Sequence, residues 1–135
     1  MESTFQKCKE AAEQGNLRAM NNLAGCYYDG RGAQKSIDLA FKWSKEAAER
    51  GVPQAMYNLA THYYKGECTE KNLELAFKWY KAAADKGYVE AMNNLACCYY
   101  DGEGTEINLK LAYKWYKKAA ENGHLQARNA LTQYF

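Results

Sequence analysis

The stretch that decides the fold is AMYNLATHYYKGEC, residues 55–68, because two versions of it stand elsewhere in the same chain. AMNNLAGCYYDGRG occupies residues 19–32 and AMNNLACCYYDGEG occupies residues 91–104, so the stretch returns every 36 residues. Between residues 19–51 and 91–123, 21 of 33 positions are identical. A fixed period of this size predicts an array of stacked units, each of which buries its apolar side against its neighbours.

Each 36-residue unit is predicted to contain two helices, which we call helix A and helix B. In residues 55–68 the apolar side chains recur at the spacing of one helical face, and not in the alternation of a strand. Glycines then end helix A, and Ser36, Asn72 or Asn108 is of a type that caps the start of helix B. These signals place helix A over residues 17–29, 53–65, 89–101 and 125–134, and helix B over residues 37–49, 73–85 and 109–121.

The whole chain, residues 1–135, is expected to form one repeat domain. Its parts are an N-terminal capping helix in 1–16, three repeats in 17–52, 53–88 and 89–124, and helix A of an incomplete fourth repeat in 125–135. Three tryptophans recur on helix B and are expected to be buried between repeats: Trp43, Trp79 and Trp115. Because the last helix A has no helix B beside it, one alternative function is self-association. In that homodimer Leu125, Leu131, Tyr134 and Phe135 would dock on a second chain.

Charge and composition argue against several classes of protein. The net charge is only +2, from 18 basic and 16 acidic side chains, and no basic block is present, so a nucleic-acid partner is not expected. No apolar run approaches the roughly 18–20 residues of a membrane-spanning helix, and the first residues do not resemble a signal peptide. We therefore expect no membrane insertion and a cytoplasmic location. A secreted effector acting in a host cytosol is the alternative.

The five cysteines do not have the pattern of a disulfide framework or of a metal site. Their number is odd and no paired C-x-x-C spacing occurs. Cys26, His62 and Cys98 share one repeat position, but equivalent residues of stacked helices lie on the order of 8–10 Å apart, too far to converge on one ion. We read this column as packing, and we expect no metal, cofactor or catalytic residue.

The repeat resembles the Sel1-like repeat, a relative of the tetratricopeptide repeat. AMYNLATHYYKGEC with LAFKWYKAAADKG, and AMNNLACCYYDGEG with LAYKWYKKAAENG, carry the pattern of that family. The sequence departs from it at Ala24, Ala60 and Ala96, where the family has glycine, and at Cys68, where it has a second loop glycine. The resemblance implies an all-α fold, a right-handed α/α superhelical solenoid of helix-pair repeats. It also implies an adaptor or scaffold that holds other proteins.

An enzymatic alternative also follows from the resemblance, since some family members are described as binding or hydrolysing β-lactams. Those members carry regularly spaced disulfides, which this chain does not have. It also lacks the S-x-x-K signature of serine β-lactam enzymes, because Ser3, Ser36 and Ser44 are followed three residues later by Gln6, Leu39 and Ala47. This alternative is therefore disfavoured, and we expect a protein that is not an enzyme.

The preferred hypothesis is a groove that binds a partner protein or peptide. By analogy with tetratricopeptide repeats, helix A lines the concave side of the superhelix. Residues expected to face that groove are Asn21, Asn22, Gly25, Tyr28 and Asp29, then Tyr57, Asn58, Thr61, Tyr64 and Lys65, then Asn93, Asn94, Cys97, Tyr100 and Asp101. Specificity for a partner is expected where the repeats differ, at Tyr57, Lys65 and Thr61, whose equivalents are Asn21 and Asn93, Asp29 and Asp101, and Gly25 and Cys97. Arg18, Gln54, Glu90 and Arg128 are expected at its mouth. The asparagines can pair with a peptide backbone, and tyrosine is favoured at interaction hot spots, although both sets can equally serve packing between repeats.

Overall fold

The structure, a computed structural model, describes residues 3–135, which form eight helices and no strand. The helices are α1 (Thr4–Glu13), α2 (Leu17–Asp29), α3 (Ile37–Glu49), α4 (Pro53–Lys65), α5 (Leu73–Asp85), α6 (Val89–Asp101), α7 (Leu109–Glu121) and α8 (Leu125–Tyr134). The bounds of α2 to α8 coincide with those expected, and the all-α class is confirmed. The capping segment expected over residues 1–16 begins outside the described residues, and its described part contains α1.

The helices pack in chain order, each against the one before it and the one after it. Helices α2, α4, α6 and α8 are the A helices, and α3, α5 and α7 are the B helices. Because contacts run mainly between sequence neighbours, the array is a solenoid without a central core. This arrangement leaves the sides of successive A helices next to one another, on what we call the helix-A face.

Capping residues fix where the helices begin and end. The side-chain oxygens of Ser36, Asn72 and Asn108 accept hydrogen bonds from backbone amides three residues later, at 3.2, 3.0 and 3.0 Å. At the end of α4, Gly66 has a φ of +73°, and its amide donates to the His62 carbonyl at 2.9 Å. That left-handed conformation disfavours residues with a Cβ, so glycine ends the helix here.

The core repeats with the sequence. Leu23, Leu59 and Leu95 are fully buried, one in each A helix. Alanines bury the facing sides of the B helices, and their small side chains let the helices approach closely; they include Ala40, Ala47, Ala76, Ala83, Ala112 and Ala119. The aromatic ring that follows on helix A is buried as Tyr27 and Tyr99 and half-buried as Tyr63.

The expected burial of the tryptophans holds for only one of the three. Trp115 is 7% exposed, whereas Trp43 and Trp79 are only half-buried against the core. The ammonium groups of Lys42 and Lys78 each lie 5.6 Å from the centroid of the adjacent tryptophan ring. The buried Trp115 has the same contact, with Lys114 Nζ at 5.6 Å and Lys118 Nζ at 5.2 Å, so the lysines do not account for the difference in burial.

One loop departs from the others in its backbone chemistry. Cys68 has a φ of +63°, where the equivalent residues Gly32 and Gly104 have φ near +74° and +73°. A Cβ added to Gly104 would collide with the backbone carbonyl of Leu73, so glycine is required at that loop. The second repeat therefore carries a strained cysteine at a position that favours glycine.

Candidate binding cleft

A cleft of about 310 Å³ lies between the A helices α2 and α4, with Ala40 and Ser44 of α3 at its floor. We call it the first cleft. Seven of the residues expected in the groove line it: Gly25, Tyr28, Asp29, Gln54, Tyr57, Asn58 and Thr61. The structure also brings Arg31, His62 and Glu67 to it.

A smaller cleft occupies the equivalent place one repeat further along, between α4 and α6. We call it the second cleft, and its volume is about 180 Å³. Its lining residues are Tyr64, Tyr80, Asn94, Cys97, Cys98 and Glu103. Each stands 36 residues after a residue of the first cleft, namely Tyr28, Ser44, Asn58, Thr61, His62 and Glu67. The two clefts are therefore the same position of the array with different side chains.

One pair of residues removes a whole ring from the first cleft. At the second cleft Tyr80 is 3% exposed, and its hydroxyl lies 3.0 Å from that of Thr61. Thr61 donates its own proton to the Tyr57 carbonyl at 3.0 Å, so Tyr80 is the donor to Thr61. In the first cleft the equivalents of Tyr80 and Thr61 are Ser44 and Gly25, which leave the space of the phenol ring open.

The third repeat has the same tyrosine. The hydroxyl of Tyr116 donates to Cys97 Sγ at 3.2 Å, just as Tyr80 donates to Thr61. Burial raises the pKa of Tyr80 to about 12, and it also raises the pKa of Tyr116. Both phenols therefore stay protonated near neutral pH and act as donors. Repeats 2 and 3 therefore share the tyrosine, and the small residues Ser44 and Gly25 are a feature of the first repeat.

A buried histidine closes the inner end of the first cleft. His62 is 3% exposed, and its Nδ1 lies 3.2 Å from Glu67 Oε1, without the alignment of a hydrogen bond. Burial lowers the pKa of His62 despite the opposing effect of the Glu67 carboxylate, so the imidazole is neutral at pH 7. The rings of Tyr28 and Phe41 meet His62 edge to face, with centroids 5.8 and 5.6 Å away.

The rim of the first cleft is polar and carries both signs of charge. Arg31 Nε lies 3.2 Å from the Asp29 carboxylate. The Arg31 guanidinium also lies beside Gly25, so that a Cβ on Gly25 would be only 2.8 Å from its Nη2. On the neighbouring side Asn21 Nδ2 donates to Gln54 Oε1 at 2.9 Å. The rim therefore offers donors and acceptors, and the acidic charge of Asp29 is balanced by Arg31.

The tyrosines expected in the groove mainly connect repeats to one another. Tyr28 donates to Glu67 Oε2 at 3.1 Å, and Tyr64 donates to Glu103 Oε2 at 2.9 Å. The hydrogen bond to Glu103, together with burial, raises the pKa of Tyr64 to about 12. Tyr100 stacks on Tyr134 of α8, with centroids 4.6 Å apart. Of the two roles left open by the sequence, the contacts of these rings favour packing between repeats.

The asparagines expected to form a ladder do not share one environment. Asn58 and Asn94 are half-buried and line the first and second clefts, whereas Asn22 is exposed. Asn93 was expected in the groove but is 7% exposed. Its short amide ends below the surface, while the ring of Tyr57, at the equivalent position, reaches Tyr88 with centroids 5.3 Å apart.

The remaining expected groove residues line neither cleft. Arg18, Lys65 and Asp101 are exposed, and Glu90 Oε2 lies 3.2 Å from Nε2 of the buried His124.

Arg128 was placed on the wrong side of its helix. It stands 36 residues after the buried Met92, two residues beyond Gln126, the equivalent of Gln54 and Glu90. Two residues correspond to about 200° around a helix, so Arg128 does not share their face.

Two positions of the sequence distinguish the first cleft, of which position 25 was expected to matter and position 44 was not. Position 44 reads serine where positions 80 and 116 read tyrosine, and position 25 reads glycine where positions 61 and 97 read threonine and cysteine. These substitutions matter because the two positions face each other between helices, which the period alone does not reveal. His62 was treated as packing, and it does pack, but it also forms part of the cleft.

Over residues 3–135, no group of three or more histidine, cysteine or acidic side chains is placed to hold a metal ion. The five cysteines are free. No helix in that range is both long and apolar enough to cross a membrane.

The model of the Sel1 repeat matches residues 17–52, 53–88 and 89–124. The chain belongs to the Sel1-repeat family. This fold is typically a scaffold for protein–protein interaction, and it is generally not enzymatic. A search of curated proteins finds no match to this Sel1-repeat chain.

Solved structures share the fold of this Sel1-repeat chain. A Sel1 repeat protein from Oxalobacter formigenes is 33% identical, with a TM-score of 0.88, over 96% of this chain and 97% of that one. The antigen c5321 of uropathogenic Escherichia coli is also 33% identical, with a TM-score of 0.89; the match covers 92% of this chain and only 27% of that longer one. Cysteine-rich protein B of Helicobacter pylori is 24% identical over 96% of this chain and 98% of that one, with a TM-score of 0.75, and shares the fold.

Proposed function

We propose that this Sel1-repeat chain is a scaffold that binds a segment of a partner protein along its helix-A face, the concave side of the superhelix. The observation that carries the proposal is the first cleft, a space of about 310 Å³ between two A helices. It adjoins half-buried Asn58 and Tyr57, which supply an amide and an aromatic surface. A groove that combines aromatic surface with a few polar groups suits a peptide better than a flat face does.

The rim of the cleft supports a peptide rather than a strongly charged polymer. Asp29 and Arg31 balance each other, so no single sign of charge dominates there. Gln54 and Asn58 carry amides that can pair with a peptide backbone. Peptide binding through such groups depends on geometry more than on ionic strength.

The proposal is tested by a quantitative pull-down from a lysate of the source cells, with two variants of equal chemical change. The groove variant carries Asn58→Ala and Lys65→Glu, and the control variant carries Gln34→Ala and Lys45→Glu at exposed positions away from the first cleft. Each pair removes one amide and reverses one lysine charge. We leave Tyr64 unchanged because its hydrogen bond to Glu103 connects two repeats.

The proposal expects partners that the wild type and the control variant retain and the groove variant loses by at least tenfold. Equal retention by all three proteins would place the binding surface elsewhere and contradict the proposal. Circular dichroism melting curves of the three proteins verify that each is folded before the comparison is made.

Self-association is the second candidate, because exposed apolar side chains gather at the C-terminal end of the described chain. Ile107 is 64% exposed and Leu125 is 66% exposed. Leu109, Tyr113, Tyr134 and Phe135 are exposed as well. A concentration series in analytical ultracentrifugation tests this candidate, with Leu125→Asp as the matched variant. A molecular mass that stays monomeric up to high concentration would remove it.

A further inference from the structure

We propose that the first cleft is a pocket for an aromatic side chain of the partner, and for tyrosine in particular. The inference rests on the proposed function for the claim that the ring belongs to a protein, and it adds which side chain the protein must offer. The first cleft is the place where this chain omits a ring that it supplies itself in the next two repeats.

The other two repeats act as an internal template for the occupant. Tyr80 fills the space between α4 and α6, and Tyr116 fills the corresponding space of the third repeat, each with its hydroxyl bonded to a polar atom of helix A. At the first cleft Ser44 and Gly25 leave that volume open. The space already accommodates a phenol twice in the same protein, so its dimensions suit a third.

Part of the wall around this volume is the same in both clefts. Ala24 and Ala40 of the first cleft correspond to Ala60 and Ala76, and Tyr28 corresponds to Tyr64. Asn58 stands where Asn94 lines the second cleft. Ser44 and Gly25 therefore open the volume within a partly shared frame, and His62 makes its wall more aromatic than Cys98 does at the second cleft.

The surfaces inside the first cleft suit an aromatic ring with a polar tip. The rings of Tyr57, Tyr28 and His62 line it, and aromatic rings favour edge-to-face contacts with one another. A ring that enters from the helix-A face would come down toward Ser44, and the amide of Asn58 lies on the same wall. The Ser44 hydroxyl and the Asn58 amide can donate to a phenol oxygen or accept from its proton, whereas the Thr61 hydroxyl is already hydrogen-bonded to Tyr57 and Tyr80.

Charge argues against an acidic occupant. An aspartate or glutamate would approach the Glu67 carboxylate inside the first cleft, and the neutral His62 cannot compensate it. A lysine or arginine is disfavoured by shape rather than by charge, because Arg31 is already paired with Asp29 and an unbranched chain does not fill the volume of a ring. Among natural side chains, tyrosine combines a neutral hydroxyl with the ring that the volume requires.

The first test uses a probe that needs no known partner. p-Cresol, the side chain of tyrosine, is titrated into the ¹⁵N-labelled protein and followed by amide chemical shifts. We expect saturable shifts at Gly25, Ser44 and Thr61, with a Kd on the order of 1 mM for so small a ligand. Pentylammonium, which mimics lysine, should cause no saturable shift there. Equal responses to both compounds, or none to p-cresol, would overturn the proposal.

Ser44→Tyr is the matched variant, because it installs the residue that repeats 2 and 3 carry at this position. We expect it to weaken p-cresol binding at least tenfold. The double variant Gly25→Thr with Ser44→Tyr recreates the pair Thr61 and Tyr80, and it serves as the second test should the single variant melt early. Unchanged p-cresol binding in a folded variant would overturn the proposal.

The second test separates the pocket from the scaffold function. A display library of random 12-residue peptides is selected on the wild type and counter-selected on the Ser44→Tyr variant. We expect one position enriched in tyrosine, whose replacement by alanine weakens binding at least tenfold. Selected peptides that instead require lysine or an aliphatic residue, or the recovery of no peptide that depends on Ser44, would overturn the pocket.

The two proposals fail in different ways. If the groove variant loses its lysate partners while Ser44→Tyr keeps them, the scaffold stands and the pocket does not. If p-cresol and tyrosine peptides bind the cleft while the groove variant keeps its lysate partners, the pocket stands and the scaffold surface lies elsewhere.

Discussion

The first and second clefts are the same place in two successive repeats, and they differ in what fills them. The second cleft contains Tyr80, which is hydrogen-bonded to Thr61, and has a volume of about 180 Å³. The first cleft has Ser44 opposite Gly25 and a volume of about 310 Å³. A repeat protein keeps its frame by repeating residues, and it can build a binding site only where a repeat departs from the others.

The largest effect is expected when the filled cleft is opened. Tyr80→Ser removes a ring that is 3% exposed and its hydrogen bond to Thr61. We expect a loss of about 3–4 kcal/mol in the free energy of unfolding, as for other buried aromatic truncations. Urea unfolding measures it, with Ser44→Ala as the control at less than about 1 kcal/mol. A loss as small as that of the control would mean that Tyr80 does not hold the second cleft together.

The next effect is a pH dependence that only the first cleft should have. The pKa of His62 is lowered in the folded protein, so the folded state binds fewer protons than the unfolded state and loses stability as the pH falls below about 6.5. The slope is at most about 1.4 kcal/mol per pH unit. His62→Cys installs the residue found at the second cleft and should remove this part of the slope. Urea unfolding between pH 5 and pH 8 compares the two proteins, and equal slopes would contradict the assignment to His62.

A smaller effect is expected from the tyrosine hydroxyls that join the repeats. Tyr28→Phe and Tyr64→Phe each remove a hydrogen bond to a carboxylate, at Glu67 and Glu103. We expect each to lower the free energy of unfolding by about 1 kcal/mol, since these bonds are partly exposed to solvent. Tyr113→Phe, on an exposed ring, is the control and should have almost no effect. A much larger loss at one cleft would show that the two hydroxyls are not equivalent.

The smallest effect is a gain in stability. Cys68, directly after Glu67 of the first cleft, has a left-handed backbone conformation, whereas Gly104 holds the equivalent position after Glu103 of the second cleft. Cys68→Gly should stabilise the protein by about 0.5–1 kcal/mol, because glycine has no Cβ to make the left-handed conformation unfavourable. Cys68→Ser keeps the Cβ and should change little. Thermal unfolding of both variants distinguishes them, and a destabilised glycine variant would show that contacts of the cysteine outweigh its strain.

The helices could be predicted from the sequence because their signals are local. The 36-residue period, the glycine after helix A and the caps Ser36, Asn72 and Asn108 predict the bounds that α2 to α8 have in the structure. Each of these signals acts within a few residues of the helix end that it marks.

The site was less predictable because its contacts cross repeats. Tyr28 meets Glu67 across 39 residues, a spacing that differs from the period and joins a helix to the loop of the next repeat. Asn93 was expected to be accessible because Asn21 and Tyr57 share its position, but helical register does not give the depth of a side chain. The importance of Ser44 required knowing that it faces Gly25, which depends on how α2, α3 and α4 pack together.

The most direct test of this account is a crystal structure of the Ser44→Tyr variant. The account predicts that the new ring lies between α2 and α4, as Tyr80 lies between α4 and α6, and that the first cleft shrinks toward the 180 Å³ of the second. A ring turned out to solvent above a cleft still near 310 Å³ would contradict it, because the open volume would then not be the place of a missing tyrosine.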